Sequence, residues 1–484
     1  MIEEDCHFFL RSLQEDFQYS FTVVDKKGEM LINTQIHERT QCSLQRENGV
    51  IMWIHDSVSE KDELEAYLFY FLGESEDKIE KLSHSISKCM FECQRGISYE
   101  DNIKEDDMEW MADAYVDDEQ NEENKSEISV DEDMYDDIDD EEREYHDHEQ
   151  QYDNSEMVQA HSYDRTFVAR GDGFGIYGTN ENGDINYYDD IPIINEYCDK
   201  PAQNMILHEN ENKMLFIDPS EKSKIQCFDF EKAKVVDEWQ AQGVKEFQSF
   251  YGETKNAQST PSNNVIACSE KGMYTLDPRV NKSNKSVQQK VYSGNYLFNK
   301  ISATLDGKIA VASKNGEIRM YTKLGQNAKT MLPGMGESIV GLDLSKDGSW
   351  ILATTSKYIL LVPTKVKSGK NGFDVRMGKE KQKPRKLKLV HSDIIKHNLK
   401  DNNFTKATFN SSENKKETFI TASIGSYIVV WKLKKVSKGD LGSYSIKKLH
   451  NSVVASESRW NTDNELLVTL PKCVTMETRK TRKT

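Results

Sequence analysis

Three glycines, Gly173, Gly175 and Gly178, form the pattern in this sequence that comes nearest to cofactor chemistry. In a GxGxxG loop, backbone N–H groups at the start of a helix bind the phosphates of a dinucleotide. Such a site requires a strand before the glycines and a helix directly after them. Here residues 180–188 follow, with asparagines and a glycine first and then an isoleucine and two tyrosines, which predicts a turn and a strand. We therefore expect no nucleotide cofactor at this place.

Other catalytic and metal-ligating side chains are not grouped in recognisable motifs. The patterns GxSxG, HExxH and GxxxxGK[ST] do not occur, and the eight cysteines contain no CxxC pair. Cysteines scattered through a long chain in this way are typical of reduced thiols inside the cell. We predict no catalytic residue, no metal site and no cofactor, and hence a protein that is not an enzyme.

Charge is distributed very unevenly along the 484 residues. Residues 101–156 contain 26 acidic against 3 basic residues, a net charge of −23. Residues 1–100 contain 20 acidic and 10 basic residues, or −10, which leaves +14 for residues 157–484 out of the total of −19. With 37% hydrophobic residues and a mean hydropathy of −0.73, the chain is too polar for one compact globule and suggests two or three domains.

The start of the chain bears on its location. Its first residues, MIEED, have neither the basic nor the apolar region of a signal peptide, and no run approaches 18 apolar residues. We therefore expect a cytoplasmic protein without an integral membrane segment. The basic stretch 383–386 adds the nucleus as a second location, because it resembles an import signal.

Residues 101–158 are predicted to be a disordered acidic linker, because mutual repulsion and a lack of apolar residues prevent a packed core. Within it, Ser129 is followed closely by two acidic residues, which favours phosphorylation by an acid-directed kinase. His146 and His148 stand two residues apart, and we interpret them as a solvated pair rather than as metal ligands.

A repeat of short strands separated by Asp-Gly and Asn-Gly turns fills the C-terminal part of the chain. The clearest unit is 298–325, with turns at 306–307 and 315–316, and such dipeptides favour two-residue hairpins. Seven units of about 45 residues fit between 163 and 480, which is the blade length of a propeller. We predict a mainly β protein with a seven-bladed WD40-like β-propeller over 159–484. Six or eight blades and a pair of β-sandwiches are the alternatives.

The N-terminal 100 residues predict a small α+β domain. Alternating apolar residues over 17–72 indicate strands, and Ile79, Ile86, Met90 and Phe91 then follow at helical spacing, with Gly96 as the stop. Strands followed by one amphipathic helix are the layout of a PH-like domain, which we predict over 1–100; any other small α+β domain is the alternative. Lys26 and Lys27 are too few for a phosphoinositide site, so we expect protein binding.

Asp277 and Arg279 form a first candidate site for partner binding. With Leu276 and Pro278 they resemble the end of the WDxR box by which some propellers dock onto adaptors of cullin ligases, although Leu276 replaces the tryptophan. The alternative is an Asp–Arg ion pair that closes a turn within a blade.

A basic loop between two predicted blade strands is the second candidate. Residues 365–388 contain ten basic residues, which favours an anion-binding patch, a nuclear import signal or a dock for the acidic linker, with a solvated loop as the alternative. Nucleic acid is not expected as a partner, because only Phe373 is available for stacking. The residues predicted to bind a partner are Lys379, Lys381, Lys383, Arg385, Lys386 and Lys388.

Several segments of the repeat region, taken together, resemble the fungal vacuolar import and degradation protein 27 family. Residues 90–92 and the strand-rich start resemble the PH-like segment of that family, whereas its longer N-terminal domain is not expected in this sequence. The resembling segments are 234–239, 276–279, 309–313, 316–319, 323–330, 339–343, 347–354, 383–385, 404–410 and 468–471.

The resemblance implies a function without catalysis. Members of the family are cytoplasmic propeller proteins, and their name connects them with the delivery of gluconeogenic enzymes to the vacuole for degradation. We expect a scaffold or adaptor that binds a cargo protein, a ligase adaptor or a GTPase. The alternative is a protein that binds Ran or another nuclear transport factor through residues 1–100, because similar plant proteins are described in this way.

Overall fold

The computed structural model describes residues 6–36, 40–45, 50–56, 64–70, 76–115, 135–138, 152–181, 183–193, 200–260, 263–280, 283–294, 296–399 and 402–481. By their contacts these residues form two compact units. Unit 1 contains the described residues of 1–128 together with 332–336 and 378–386, and unit 2 contains the others. The predicted domain boundaries at residues 100 and 158 stay predictions.

Unit 1 begins with two three-stranded antiparallel sheets, and in each of them the strands lie side by side in the order of the chain. In the hairpin between the second and third strands, the Asp25 side chain accepts hydrogen bonds from the backbone N–H groups of Lys27 (2.9 Å) and Glu29 (2.7 Å), and Gly28 has a φ of +82°. This is the Asx-type turn that favours aspartate and glycine. The strands are β1 (His7–Ser12), β2 (Tyr19–Val24), β3 (Met30–Gln35), β4 (Gln41–Gln45), β5 (Val50–Asp56) and β6 (Leu64–Tyr70).

The two sheets of unit 1 share a core. The rings of Phe21 and Trp53, one from each sheet, stack at 4.4 Å between centroids, and both residues are almost fully buried. Helix α1 (Glu76–Arg95) follows, with Met90 and Phe91 buried, and Gly96 ends it with a φ of +60°. The predicted order of strands and then one amphipathic helix is confirmed, whereas the assignment as a PH-like domain stays a prediction.

The prediction that residues 101–158 lack regular structure is wrong for three described parts. After the short helix α2 (Tyr99–Asn102), helix α3 (Glu105–Tyr115) packs against α1 and buries Trp110 and Met111. These apolar side chains give α3 a face to bury, which the acidic composition of the whole segment conceals. Strands β7 (Tyr135–Ile138) and β8 (Asn154–Gln159) are the other two parts. Residues 116–134 and 139–151, with Ser129, His146 and His148, lie outside the described residues.

Unit 2 consists of four-stranded antiparallel sheets, seven of them within the described residues, and six are simple meanders along the chain. The first comprises β8, β9 (Thr166–Arg170), β10 (Gly173–Thr179) and β11 (Ile185–Pro192). The second comprises β12 (Gln203–His208), β13 (Lys213–Ile217), β14 (Ile225–Asp229) and β15 (Lys234–Trp239). The third comprises β16 (Ser249–Gly252), β17 (Val265–Ser269), β18 (Gly272–Leu276) and β19 (Ser286–Val291), and the fourth β20 (Phe298–Ala303), β21 (Ile309–Ser313), β22 (Ile318–Tyr321) and β23 (Thr330–Leu332).

The remaining sheets complete the series. The fifth comprises β24 (Gly341–Leu344), β25 (Trp350–Thr354), β26 (Ile359–Pro363) and β27 (Arg385–Leu387). The sixth comprises β28 (Thr408–Phe409), β29 (Phe419–Ile424), β30 (Tyr427–Lys432) and β31 (Tyr444–Lys448), and the seventh β32 (Ala455–Ser458), β33 (Glu465–Thr469), β34 (Val474–Thr481) and β7. Two short helices, α4 (His391–Lys396) and α5 (Leu433–Ser437), lie in the connections.

The seven sheets close into a ring. The first strand of each sheet contacts the first strand of the next, and β32 of the last sheet contacts β8 of the first. Asn154 strengthens this closure, because its side-chain N–H donates to the carbonyl of Leu470 (2.7 Å), and Gln159 donates in the same way to Ser458 (2.6 Å). The predicted seven-bladed propeller is confirmed.

The outer strand of the seventh blade comes from residues ahead of the first blade. Strand β7 pairs antiparallel with β34, with Ile138 opposite Arg479 and Tyr135 opposite Thr481. Part of the acidic segment therefore completes the last sheet and covers an edge that would otherwise be unpaired.

Apolar side chains fill the spaces between neighbouring blades. Between the fifth and sixth blades, fully buried Trp431 packs in one cluster with Leu352, Leu361 and Phe409. Burying side chains of this size contributes about 1.5–3 kcal/mol each, so every blade stabilises both of its neighbours. The closed ring is therefore a rigid frame for the side chains that face its axis.

The three glycines of the GxGxxG pattern all lie in strand β10, and strand β11 follows, so no helix begins there. A Cβ at Gly175 would lie 2.7 Å from the guanidinium of Arg170, and one at Gly178 would lie 2.7 Å from the ring of Tyr188. These glycines allow close packing of side chains across the sheet.

Candidate functional site: the central channel

The first strand of every blade contributes to one cavity of about 610 Å³ on the propeller axis. Side chains alternate between the two faces of a strand, so each inner strand directs only some of its residues to this channel. Charged residues are prominent there: Lys255 and Asp343 are buried, Glu156, Lys300 and Glu457 are half-buried, and Lys406 is exposed. The charged residues that line the channel are Glu156, Lys222, Lys255, Lys300, Asp343, Lys406 and Glu457.

One group of charges contains Glu156, Lys300 and Lys406. The carboxylate of Glu156 accepts backbone hydrogen bonds from Asn204 (2.6 Å) and Met205 (3.3 Å) on the next inner strand. Burial raises the pKa of Glu156, while these hydrogen bonds and the two lysines act in the opposite direction. Burial and the charge of Lys406 lower the pKa of Lys300, and Glu156 opposes this shift.

The two lysines of this group lack a bonded counterion. Within the residues that the structure describes, the side-chain ammonium groups of Lys300 and Lys406 make neither a hydrogen bond nor an ion pair. Gly341 of the fifth blade lies directly against Lys406, because a Cβ added there would be 2.8 Å from its Cγ. The glycine therefore leaves space for the lysine stem beside the inner strand.

A second group is centred on a buried ion pair. Lys255 Nζ lies 2.8 Å from Asp343 Oδ1, with side-chain exposures of only 3% and 10%. Asp343 also accepts the backbone N–H groups of Leu344 and Phe409, each at 2.9 Å, and the second bond joins the fifth blade to the sixth. Nearby, burial raises the pKa of Glu457, opposed by Lys406 and a hydrogen bond from Gln159. The acidic groups of the channel are therefore engaged with donors of the protein itself.

Asp277 and Arg279 form an internal ion pair at the turn after β18. The guanidinium of Arg279 donates to Asp277 through Nε (2.8 Å) and a terminal nitrogen (2.7 Å), and its backbone N–H donates to the same carboxylate (3.0 Å). This is the turn-closing arrangement that the sequence offered as the alternative to a ligase-docking motif. A role of the two residues in partner binding stays a prediction.

The basic loop is held partly by acidic residues of helix α3, within unit 1. Lys381 pairs with Asp107 (2.5 Å) and both side chains are buried, whereas the Lys379–Glu105 pair (2.9 Å) is largely exposed. Both acids belong to the segment 101–158, so contact of the acidic segment with the basic loop is observed at these two positions. The other four predicted residues, Lys383, Arg385, Lys386 and Lys388, also have interactions of their own. Their role in binding a partner stays a prediction.

The described part of the chain contains neither a membrane-spanning helix nor a metal-binding cluster. No helix there is long and apolar enough to cross a membrane. No three of its histidine, cysteine and acidic side chains are grouped so as to hold a metal ion.

Sequence reasoning missed the channel charges, although a signal was present. Lys300 and Lys406 each stand near the start of the inner strand of their repeat, ahead of a short apolar run. A lysine repeated at this place in two units, where packing favours apolar or small residues, indicates a shared position on the axis. The repeat pattern alone does not show how the ring closes, and it is this closure that brings the two lysines to the same channel.

The geometry of the propeller agrees with comparisons of the sequence. The sequence model of the VID27 C-terminal WD40-like domain matches residues 152–484, a range that includes every residue lining the channel. The chain belongs to the VID27 family. The resemblance predicted from the repeat region is thereby confirmed.

Two curated relatives share the repeat region of this VID27-family chain. A protein of Schizosaccharomyces pombe named vacuolar import and degradation protein 27 is 33% identical over 335 residues, which cover 67% of this chain and 42% of the relative. A protein of the same name from Saccharomyces cerevisiae is 32% identical over 341 residues, 67% of this chain and 43% of the relative. The chain therefore spans less than half the length of these relatives.

Proposed function

We propose that this chain is a non-catalytic adaptor that binds other proteins through its propeller and serves the import of proteins into the vacuole for degradation. Its family and the names of its relatives support the link to vacuolar degradation. Propellers of this size present connecting segments at both ends of a rigid frame, and exposed connections on such frames commonly bind partners.

An exposed apolar surface on one long connection carries the proposal. Between β27 and β28, Val390 and Ile395 are 42% and 61% exposed. The connection is nevertheless anchored, because Leu399 and Phe404 are buried. Tyr444 also holds it, since its hydroxyl accepts from the Val390 N–H (2.9 Å) and donates to the Asp393 carboxylate (2.6 Å). Apolar side chains displayed on an ordered segment favour protein binding at low entropic cost.

The proposal is tested by replacing Val390 and Ile395 together with serine in the full chain. A matched control replaces Val287 and Val291, which are 52% and 55% exposed on strand β19 of another blade. Proteins that co-purify with each version from cells of the source organism are quantified by mass spectrometry. We expect a defined set of co-purifying proteins to be absent with the V390S/I395S variant and present with the control variant. If both variants co-purified with the same proteins, this connection would not be the binding surface.

The link to the vacuole needs a separate measurement. In cells from which this protein has been removed, pulse–chase labelling should show slower vacuole-dependent degradation of the proteins that fail to co-purify with the V390S/I395S variant. Reintroducing the V390S/I395S variant should restore the rate less than reintroducing the wild type. Unchanged degradation in cells without the chain would refute the proposed role.

A further inference from the structure

The charged groups of the channel differ in how fully their hydrogen-bonding capacity is used. Two of the three channel carboxylates accept several hydrogen bonds: Glu156 from two backbone N–H groups, and Asp343 from Lys255 and two backbone N–H groups. The ammonium groups of Lys300 and Lys406, by contrast, have no bonded partner within the described residues. An ammonium group has three N–H donors and no acceptor. The ammonium groups of Lys300 and Lys406 are therefore donors that face the channel without a bonded acceptor.

The two lysines face one and the same cavity, which adds a second argument. The charge of Lys406 contributes to lowering the pKa of Lys300, so the two ammonium groups repel each other. Lys300 is half-buried on its inner strand, where water compensates its charge only partly. Glu156 offsets this repulsion, yet its carboxylate is already hydrogen-bonded to backbone N–H groups. An acceptor with two or more oxygen atoms would bond both lysines and remove the repulsion.

We propose that Lys300 and Lys406 bind a small oxyanion in the central channel, namely a phosphate-bearing or carboxylate-bearing small molecule. The cavity of about 610 Å³ has the size of small-molecule sites in proteins, which span roughly 300–1,000 Å³. Gly341 contributes by leaving room for the stem of Lys406. The site lies on the axis and uses none of the residues of the proposed protein-binding connection, so it does not depend on that proposal.

The test measures binding to the full chain by isothermal titration calorimetry at constant ionic strength, with inorganic phosphate in one arm and citrate in the other. We expect saturable binding of at least one probe to the wild type, and at least tenfold weaker binding to the K300Q/K406Q variant. The matched control is K323Q, because Lys323 is an exposed lysine that does not line the channel. It should bind as the wild type does.

Each outcome decides the proposal. Binding of phosphate alone, of citrate alone or of both, with loss in K300Q/K406Q, supports it and identifies the ligand chemistry. No binding to the wild type, or equal binding to wild type and K300Q/K406Q, overturns it. Should circular dichroism show that the double variant does not fold, G341A replaces it, since its Cβ would displace the Lys406 stem. Unchanged binding by a folded G341A would then overturn the proposal.

Discussion

Removing Asp343 should destabilise the propeller more than removing its partner Lys255. The D343A change takes away the acceptor of three donors, namely Lys255 Nζ at 2.8 Å and the N–H groups of Leu344 and Phe409 at 2.9 Å. It leaves a lysine that is 3% exposed with only the carbonyl of Leu344 as acceptor. An uncompensated buried charge of this kind costs about 3–5 kcal/mol.

The reverse substitution leaves the site less disturbed. In K255M, Asp343 keeps two backbone donors, and the methionine stem retains the apolar contacts of the lysine. The loss is then about that of one hydrogen bond to a charged group, roughly 1.5–3 kcal/mol. In the K255M/D343A double variant no charge remains, so the combined loss should be smaller than the sum of the two single losses by at least about 1 kcal/mol.

Thermal unfolding of the full chain, followed by near-ultraviolet circular dichroism, measures these differences. The melting temperature changes by about 2–4 °C per kcal/mol, so D343A should lower the melting temperature by on the order of 10 °C. An exposed pair provides the control, since Lys314 and Glu270 are 2.6 Å apart but 43% and 42% exposed. The E270A substitution should lower the free energy of unfolding by less than about 1 kcal/mol. Equal losses for D343A and K255M, or strictly additive losses in the double variant, would refute the reasoning.

Two further predictions concern other buried charged or titratable groups. K381M should speed amide hydrogen exchange in helix α3, because it leaves Asp107 buried without its partner, whereas K379M should not, since that pair is exposed; equal exchange in both variants would contradict this. Burial lowers the pKa of His208 to about 4, below its usual 6.5, so the unfolded state binds a proton first as pH falls. Stability should fall between about pH 6.5 and 4 by up to roughly 1.4 kcal/mol per pH unit. H208F, which keeps the packing on Trp239, should reduce this slope, and an unchanged slope measured by urea unfolding at several pH values would contradict the prediction.

The propeller was predictable because its signals are local. The turns at Gly307, Gly316 and Gly348 all have positive φ values, from 67° to 81°, so each Asp-Gly or Asn-Gly pair specifies a hairpin wherever it stands. Alternating apolar residues between these turns give strands with one buried face, and their regular spacing gives the number of blades. The helix at 76–95 was predictable for the same reason, because its apolar spacing and its terminal glycine are read from a few neighbouring residues.

Helix α3 shows where composition misled the prediction. Its first turn contains Glu105, Asp106 and Asp107, which are typical of a solvated segment but also favour a helix start. Whether Trp110 and Met111 are buried depends on α1 being present to cover them. No window of the sequence contains that information.

The sequence by itself determined the strands, the hairpin turns and the repeat of this VID27-family protein, because short-range sterics and apolar periodicity decide them. Only the tertiary structure decided which distant residues meet. Closure of the ring brings Lys300 and Lys406 to one channel, pairs Lys255 with Asp343, and assigns residues 135–138 to the last blade. Such contacts depend on how whole sheets pack, and the physical reason is that burial acts through surfaces assembled from many segments rather than through neighbours in the chain.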